Sequence, residues 1–391
     1  MRRGKADLAI GGVDALHFTG SIFQPAGRRL RSFSEDLTFN VKAAWAPGAD
    51  EYAITAVVQN GKKGAPPYAG NLTSNGVFFD WPYYDKRSVY LTTRTGFDGG
   101  TTLKTRLHYD SFQNQLKRYD TVSYTTQYRP FAFTSSYDDD TWGGSAELAV
   151  PWIADADTRF AVFLKQDTHR EFNPGGPVST MRDRTGSVAA STRIVMAEGL
   201  TLSAGLSYDW RNADLAQNPS IAGTSFPLVD NHAFNWQAGL EFALLPDTEA
   251  FLGISRKTRF ATMYERYSYR LGNGLPNPTL DPESLLNVEL GVRGDFASWL
   301  SGSASIFWGQ ADDYIQSVVV GVRTTPPFGD IVQNQNIGEV DVRGFEAELS
   351  ADYDWLSARL AYTYLERDLT NRPGRFLTGT PRHKVDLDIE A

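Results

Sequence analysis

Leu200-Thr201-Leu202-Ser203-Ala204-Gly205-Leu206-Ser207-Tyr208-Asp209-Trp210-Arg211 is the stretch on which the reading of this chain turns. Its even positions hold Leu, Ala, Tyr and Trp; its odd positions hold Thr, Ser, Gly, Asp and Arg. In a strand successive side chains point to opposite faces, so each set occupies one face; a helix would scatter both sets around its axis. The same alternation returns at Leu286, Val288, Leu290 and Val292 against Asn287, Glu289, Gly291 and Arg293. It returns again at Phe345, Ala347, Leu349, Ala351 and Tyr353 against Glu346, Glu348, Ser350 and Asp352. Val385, Leu387 and Ile389 oppose Lys384, Asp386, Asp388 and Glu390, and Leu103, Leu107 and Tyr109 oppose Lys104, Arg106, His108 and Asp110.

Period two along the chain predicts an all-β protein of about sixteen strands. They are expected near 6–22, 34–47, 51–61, 88–97, 101–119, 139–150, 157–171, 183–198, 200–215, 232–246, 248–260, 283–296, 300–320, 340–354, 356–370 and 381–391. Short turns such as Pro47-Gly48-Ala49-Asp50, Asp98-Gly99-Gly100 and Glu198-Gly199 alternate with long connections near 62–87, 120–138, 216–231, 261–282 and 321–339. Sorting loops by length in this way is the habit of outer-membrane barrels, which have short periplasmic turns and long extracellular loops. With no helices to cover them, one-faced strands must stack as sandwiches or close on themselves. The expectation is a transmembrane antiparallel up-and-down β-barrel, apolar toward lipid and charged toward a wet lumen.

Composition agrees. Aromatics make up 13% of the 391 residues, which suits girdles at two membrane interfaces. No run of apolar residues reaches the ~18 needed for a membrane-spanning helix. There is no cysteine, which excludes disulfides, thiolate metal sites and cysteine nucleophiles. Net charge is −8, and no basic face for nucleic acid is visible. Met1-Arg2-Arg3 resembles the start of a signal peptide, but no apolar segment follows.

The stretch 255–293 carries a resemblance. Asn277-Pro278-Thr279-Leu280-Asp281-Pro282-Glu283 followed by Asn287-Val288-Glu289-Leu290-Gly291 is similar to a motif of TonB-dependent outer-membrane receptors. Asn334-Gln335-Asn336-Ile337-Gly338 followed by Gly344-Phe345-Glu346 resembles the same barrels, as do Ala361-Tyr362-Thr363-Tyr364-Leu365 and Thr380-Pro381-Arg382-His383-Lys384. Ala261 stands where the family usually has Pro. The resemblance implies a bacterial outer-membrane location, contact with outer-membrane lipid, and uptake of a metal chelate such as a ferric siderophore. Uptake would be driven by a TonB energy-coupling complex through a plug absent from this chain. It also implies that 1–391 is one barrel domain, incomplete at both ends, about sixteen strands of a larger 22-stranded barrel. The rival readings are a passive porin-like channel and an inactive receptor fragment.

Catalytic, metal and cofactor sites are not expected. The five histidines stand apart from one another, no Gly-x-Ser-x-Gly elbow occurs, and Asp138-Asp139-Asp140 reads as a solvated loop tip. The ligand-contact candidates are loop aromatics with an arginine: Tyr68, Trp81, Tyr83 and Tyr84 in the first long loop, and Tyr128 and Arg129 in the second. Phe78 and Phe79 accompany the first group, and Tyr124, Phe131, Phe133 and Tyr137 the second. Ring faces and a guanidinium suit a flat, anionic chelate; packing of loop on loop is the plainer alternative.

Overall fold

The computed structural model describes residues 2–10, 13–24, 27, 29–67, 78–151, 153, 155–324, 329–370 and 380–390. The strands are β1 (Arg2–Ile10), β2 (Val13–Phe23), β3 (Ser34–Trp45), β4 (Glu51–Gly64), β5 (Phe78–Gly96), β6 (Thr102–Tyr119), β7 (Phe133–Val150), β8 (Ala156–Phe172), β9 (Ser179–Ala197) and β10 (Leu200–Ala216). They continue as β11 (Asn231–Leu245), β12 (Thr248–Arg259), β13 (Gly274–Leu275), β14 (Glu283–Ala297), β15 (Leu300–Asp312), β16 (Ile315–Arg323), β17 (Gly329–Asn336), β18 (Val340–Tyr353), β19 (Leu356–Leu369) and β20 (His383–Glu390). One short helix, α1 (Met263–Tyr267), lies between β12 and β14.

Seventeen strands form one meandering antiparallel wall, each pairing with the next in chain order. β13, β16 and β17 make a separate three-stranded sheet. Register keeps the apolar positions in line from strand to strand. Leu202 lies opposite Leu240, Leu240 opposite Leu252, Leu252 opposite Leu290, Leu290 opposite Ile306, and Ile306 opposite Phe345. Most of this row is exposed, Ile306 by 57% and Leu290 by 50%, and nothing among the described residues covers it. Such a band is what a bilayer buries. Aromatic pairs mark its two ends. Trp45 stacks on Tyr52, with centroids 5.3 Å apart, at the short-turn end, and Tyr109 meets Trp142 at 4.3 Å at the long-loop end.

The opposite face is ionic. Arg193 pairs with Glu241 at 2.8 Å, Glu241 with Arg293 at 3.0 Å, and Arg359 with Glu348 at 2.8 Å. Sheet glycines on this face make room for rings from the neighbouring strand. A Cβ on Gly291 would meet the Phe251 ring at 2.4 Å, and one on Gly344 would meet the Phe307 ring at 2.4 Å. The glycines of the family-like motifs thus seat cross-strand aromatics.

Buried apolar clusters gather at the long-loop end: Met181 with Ala216 and Tyr267, Ala261 with Leu280 and Ile315, and Ala311 with Ile337, Val340 and Leu369. The protein's tight packing is therefore at the barrel mouth rather than inside the wall.

Several expectations need correction. The strand expected at 6–22 is the hairpin β1–β2. The connection expected at 62–87 is strand at both ends: β4 runs to Gly64 and β5 begins at Phe78, so Trp81, Tyr83 and Tyr84 sit in β5. β7 begins at Phe133, which places Asp138-Asp139-Asp140 in a strand instead of a loop tip. Beyond the bilayer the two faces of a strand need not differ, so the aromatic start of β5 and the polar start of β7 carry no alternation, while backbone pairing still satisfies their hydrogen bonds. The strand expected at 300–320 breaks at Asp313, whose φ of 54° turns the chain out of the wall. β16 then pairs with β17 outside it. α1, where no helix was expected, starts from a capping box of Thr262 and Glu265.

Candidate functional site

The connection between β12 and β14 folds inward and is anchored by Arg266, whose side chain is completely buried. Its Nε donates to the Ala261 carbonyl at 3.2 Å and its Nη1 to the Tyr267 hydroxyl at 2.6 Å. Its Nη2 donates to the Asp183 carboxylate on β9, and Arg211 of β10 stands 3.7 Å from the same carboxylate. Arg266 thereby ties α1 to the wall, so that Tyr264, Tyr267 and Tyr269 are held in place.

The next long connection braces this one. Arg270 donates to Ser317 Oγ at 2.8 Å and to Asn334 Oδ1 at 2.7 Å. Asn334 Nδ2 donates to the Glu265 carbonyl at 2.9 Å, and Asn277 Nδ2 to the Asn334 carbonyl at 2.9 Å. β13 pairs in parallel with β17 through Gly274 and Leu275. Two loops far apart in sequence become one cap.

Between this cap and the extended ends of β7, β8 and β9 lies a cavity of about 810 Å³. The cap supplies Met263, Tyr264, Tyr267 and Tyr269; the strands supply Phe133, Tyr137 and Met181. The strand residues lie past Trp142 and Leu164, where the exposed apolar band ends, and so outside the membrane-spanning part. The ionisable part of the lining, apart from the tyrosines, is mostly acidic. Asp139 faces His169, with Oδ1 2.5 Å from Nδ1. Asp167 accepts from Thr141 at 2.7 Å and pairs with Lys165 at 2.7 Å. Glu171 accepts from Ser135 Oγ at 3.4 Å, and no ion pair to it is found among the described residues.

Burial acts on each of these groups. It would lower the His169 pKa, but the hydrogen bond and charge of Asp139, helped by Glu171, outweigh it and raise that pKa above the ordinary value. Burial pushes the Glu171 carboxyl up, against weaker opposition from His169 and Ser135. It also raises the Tyr137 phenol. Among the described residues, no cluster of three or more His, Asp or Glu is arranged to hold a metal ion. The cavity offers ring faces, two thioethers and carboxyl oxygens to an organic ligand or chelate.

The residues singled out in the sequence fall elsewhere. Tyr68 lies outside the described residues. Trp81 and Tyr84 flank Lys63, each ring centroid 5.0 Å from its Nζ. The Tyr84 ring also covers Gly61, and its hydroxyl donates to Asp36. Tyr83 is half-buried in β5 opposite Gln115. Tyr128 is 90% exposed, and the backbone amides of Tyr128 and Arg129 bind the Asp120 carboxylate at 2.7 and 3.0 Å. The Arg129 guanidinium lies 5.8 Å from the Phe131 ring. None of the five that are described lines the cavity, whereas Phe133 and Tyr137 from the second aromatic group do. Sequence reading missed His169, Glu171 and the cap tyrosines. The available signal was Thr262-Met263-Tyr264-Glu265-Arg266-Tyr267, a capping box and aromatic cluster inside a long connection.

Comparison with known proteins places the fold. The model of the family described as TonB dependent receptor-like, beta-barrel matches residues 26–390. No curated protein matches. Among solved structures, the copper transporter OprC superposes with a TM-score of 0.74 at 18% identity, over 90% of this chain and 57% of that one. The Serratia marcescens hemophore receptor HasR, solved in complex with its hemophore HasA and heme, gives 0.70 at 15% identity, over 93% of this chain and 60% of that one. The siderophore receptor PirA from Pseudomonas aeruginosa gives 0.67 at 16% identity, over 93% and 62%. The chain thus spans about three fifths of the length of these proteins. With its banded antiparallel wall and a family match over nearly all of its length, the chain belongs to the TonB-dependent receptor β-barrels of the bacterial outer membrane.

Proposed function

We propose that this chain serves as the barrel of a receptor that captures a scarce nutrient outside the cell, such as a ferric siderophore or another metal chelate. Uptake would be driven by a TonB energy-coupling complex acting through a plug segment. The observation that carries the reading is the aromatic cavity at the long-loop end of the wall, the extracellular end of such barrels. Its volume falls within the ~300–1,000 Å³ typical of small-molecule sites. Trp81, Tyr83, Tyr84, Tyr128 and Arg129, together with Tyr68, are proposed as further contacts for the ligand.

The test is accumulation of radiolabelled iron chelates by cells carrying the complete gene. Accumulation is expected for one chelate class, abolished by collapsing the proton gradient. Tyr137→Ala with Tyr264→Ala is expected to cut it at least ~tenfold at unchanged surface expression, on the usual worth of aromatic contacts in buried sites. Accumulation that ignores the proton gradient would instead mark a passive channel.

A further inference from the structure

We infer that the mouth cavity selects a ligand presenting a positively charged group, an ammonium, a guanidinium or a cationic chelate, over one whose outward groups are anionic. This rests on the reading of the cavity as the capture site and specifies what that site takes.

The argument starts from charge balance. At the cavity, three carboxyl side chains of β7 and β8 lie on the inward face: Asp139, Asp167 and Glu171. Two have basic partners of their own, the His169 imidazole for Asp139 and the Lys165 ammonium for Asp167. Asp140 also borders the cavity, but it belongs to the outward set with Trp142 and pairs with Arg170. Glu171 has a hydroxyl donor at 3.4 Å and no ion pair among the described residues. Arg270, the one guanidinium lining the cavity among the described residues, is committed to Ser317 and Asn334 in the neighbouring loop.

The carboxyl without an ion pair at this site is therefore Glu171, and it shares the cavity with rings. Tyr137, at the wall, and Tyr264, Tyr267 and Tyr269, in the cap, surround the space in front of it. An unpaired carboxyl in apolar surroundings is costly, and a partner of opposite charge relieves that cost. Aromatic faces attract cations through their quadrupole and offer nothing to an anion. Both features favour the same sign of ligand, opposite to the anionic chelate that the loop arginine suggested.

The experiment uses the full chain in detergent and two probes of one shape and opposite charge, benzyltrimethylammonium and benzenesulfonate. Binding is read by ligand-observed NMR titration. The ammonium is expected to bind at least ~tenfold more tightly than the sulfonate, and Glu171→Gln to shrink that preference about fivefold or more. Thermal melting of Glu171→Gln shows whether the variant is folded, and Tyr264→Ala supplies a second variant that weakens the ammonium from the cap side. Equal binding, a preference for the sulfonate, or a preference unchanged in Glu171→Gln overturns the charge assignment and leaves the capture site standing. Failure of both probes to bind overturns both.

Discussion

Arg266 is a buried charge whose donors are spread over three acceptors, one of them a carboxylate on a distant strand. Removing one partner of such a pair leaves the other buried and uncompensated, at a typical cost of ~3–5 kcal/mol. Arg266→Ala is therefore expected to free the cap while the wall survives. Amide exchange in 262–277 should accelerate strongly, with little change in β14 and β15; acceleration throughout the wall would contradict a local anchor. His169 and Glu171 make the mouth sensitive to pH. The folded state holds the His169 proton more tightly than the unfolded chain does, so this contribution is complete below the ordinary value of 6.5 and is lost as pH rises through the raised one. Glu171 is raised as well, so ionising it in the folded state also costs stability as pH climbs above its ordinary 4.5. Both act in one direction: protection of the amides at the ends of β7 and β8, taken relative to the base-catalysed exchange of an unfolded chain at each pH, should be greater at pH 6 than at pH 8. In the double variant His169→Asn, Glu171→Gln the difference should largely vanish, and its persistence would place the titrating groups elsewhere.

At the scale of elements, the cap behaves as one unit because Asn334 joins two loops. It accepts from Arg270 and donates to the Glu265 carbonyl. Asn334→Ala leaves both groups without these partners, at ~1–3 kcal/mol. Hydrogen exchange is expected to rise together in 262–277 and 329–336. A rise confined to the second segment would show that the loops are independent. In the wall, the fit between rings and glycines sets the limit on substitution. A Cβ on Gly344 would lie 2.3 Å from the Tyr364 carbonyl oxygen and 2.4 Å from the Phe307 ring, so Gly344→Ala should cost ~1–3 kcal/mol in a chemical unfolding titration. Gly253→Ala, with nothing within 4 Å, is the matched control and should cost far less. The motif glycines were readable as special positions on the polar face. That a phenylalanine ring lies over each was not readable, because the ring comes from a neighbouring strand.

For the whole molecule, stability comes from two surroundings rather than from one core. The exposed apolar row is matched to lipid and the ionic row to water. An arginine at Leu290, in the middle of the apolar row, is expected to cost ~2–4 kcal/mol of unfolding free energy in lipid vesicles. An arginine at Ser305, on the ionic face, should change it little. Similar costs at both positions would contradict the assignment of faces.

The wall was legible because strand alternation is local: each residue's face follows from its neighbours at i±1 and i±2, and Leu202, Leu290 and Phe345 announce their side without any partner. The long and short connections, equally local, told the two ends apart. The extensions at Trp81 and Asp139 hid because aromatic residues on both faces of the first, and polar residues on both faces of the second, erase the alternation there. The cavity was decided only in three dimensions. Tyr137, Glu171 and Tyr264 come from separate stretches with no common periodicity, and they meet because a buried arginine and a shared asparagine fold one loop against the ends of distant strands. Pairings of that kind depend on distance in space, which one-dimensional pattern does not encode.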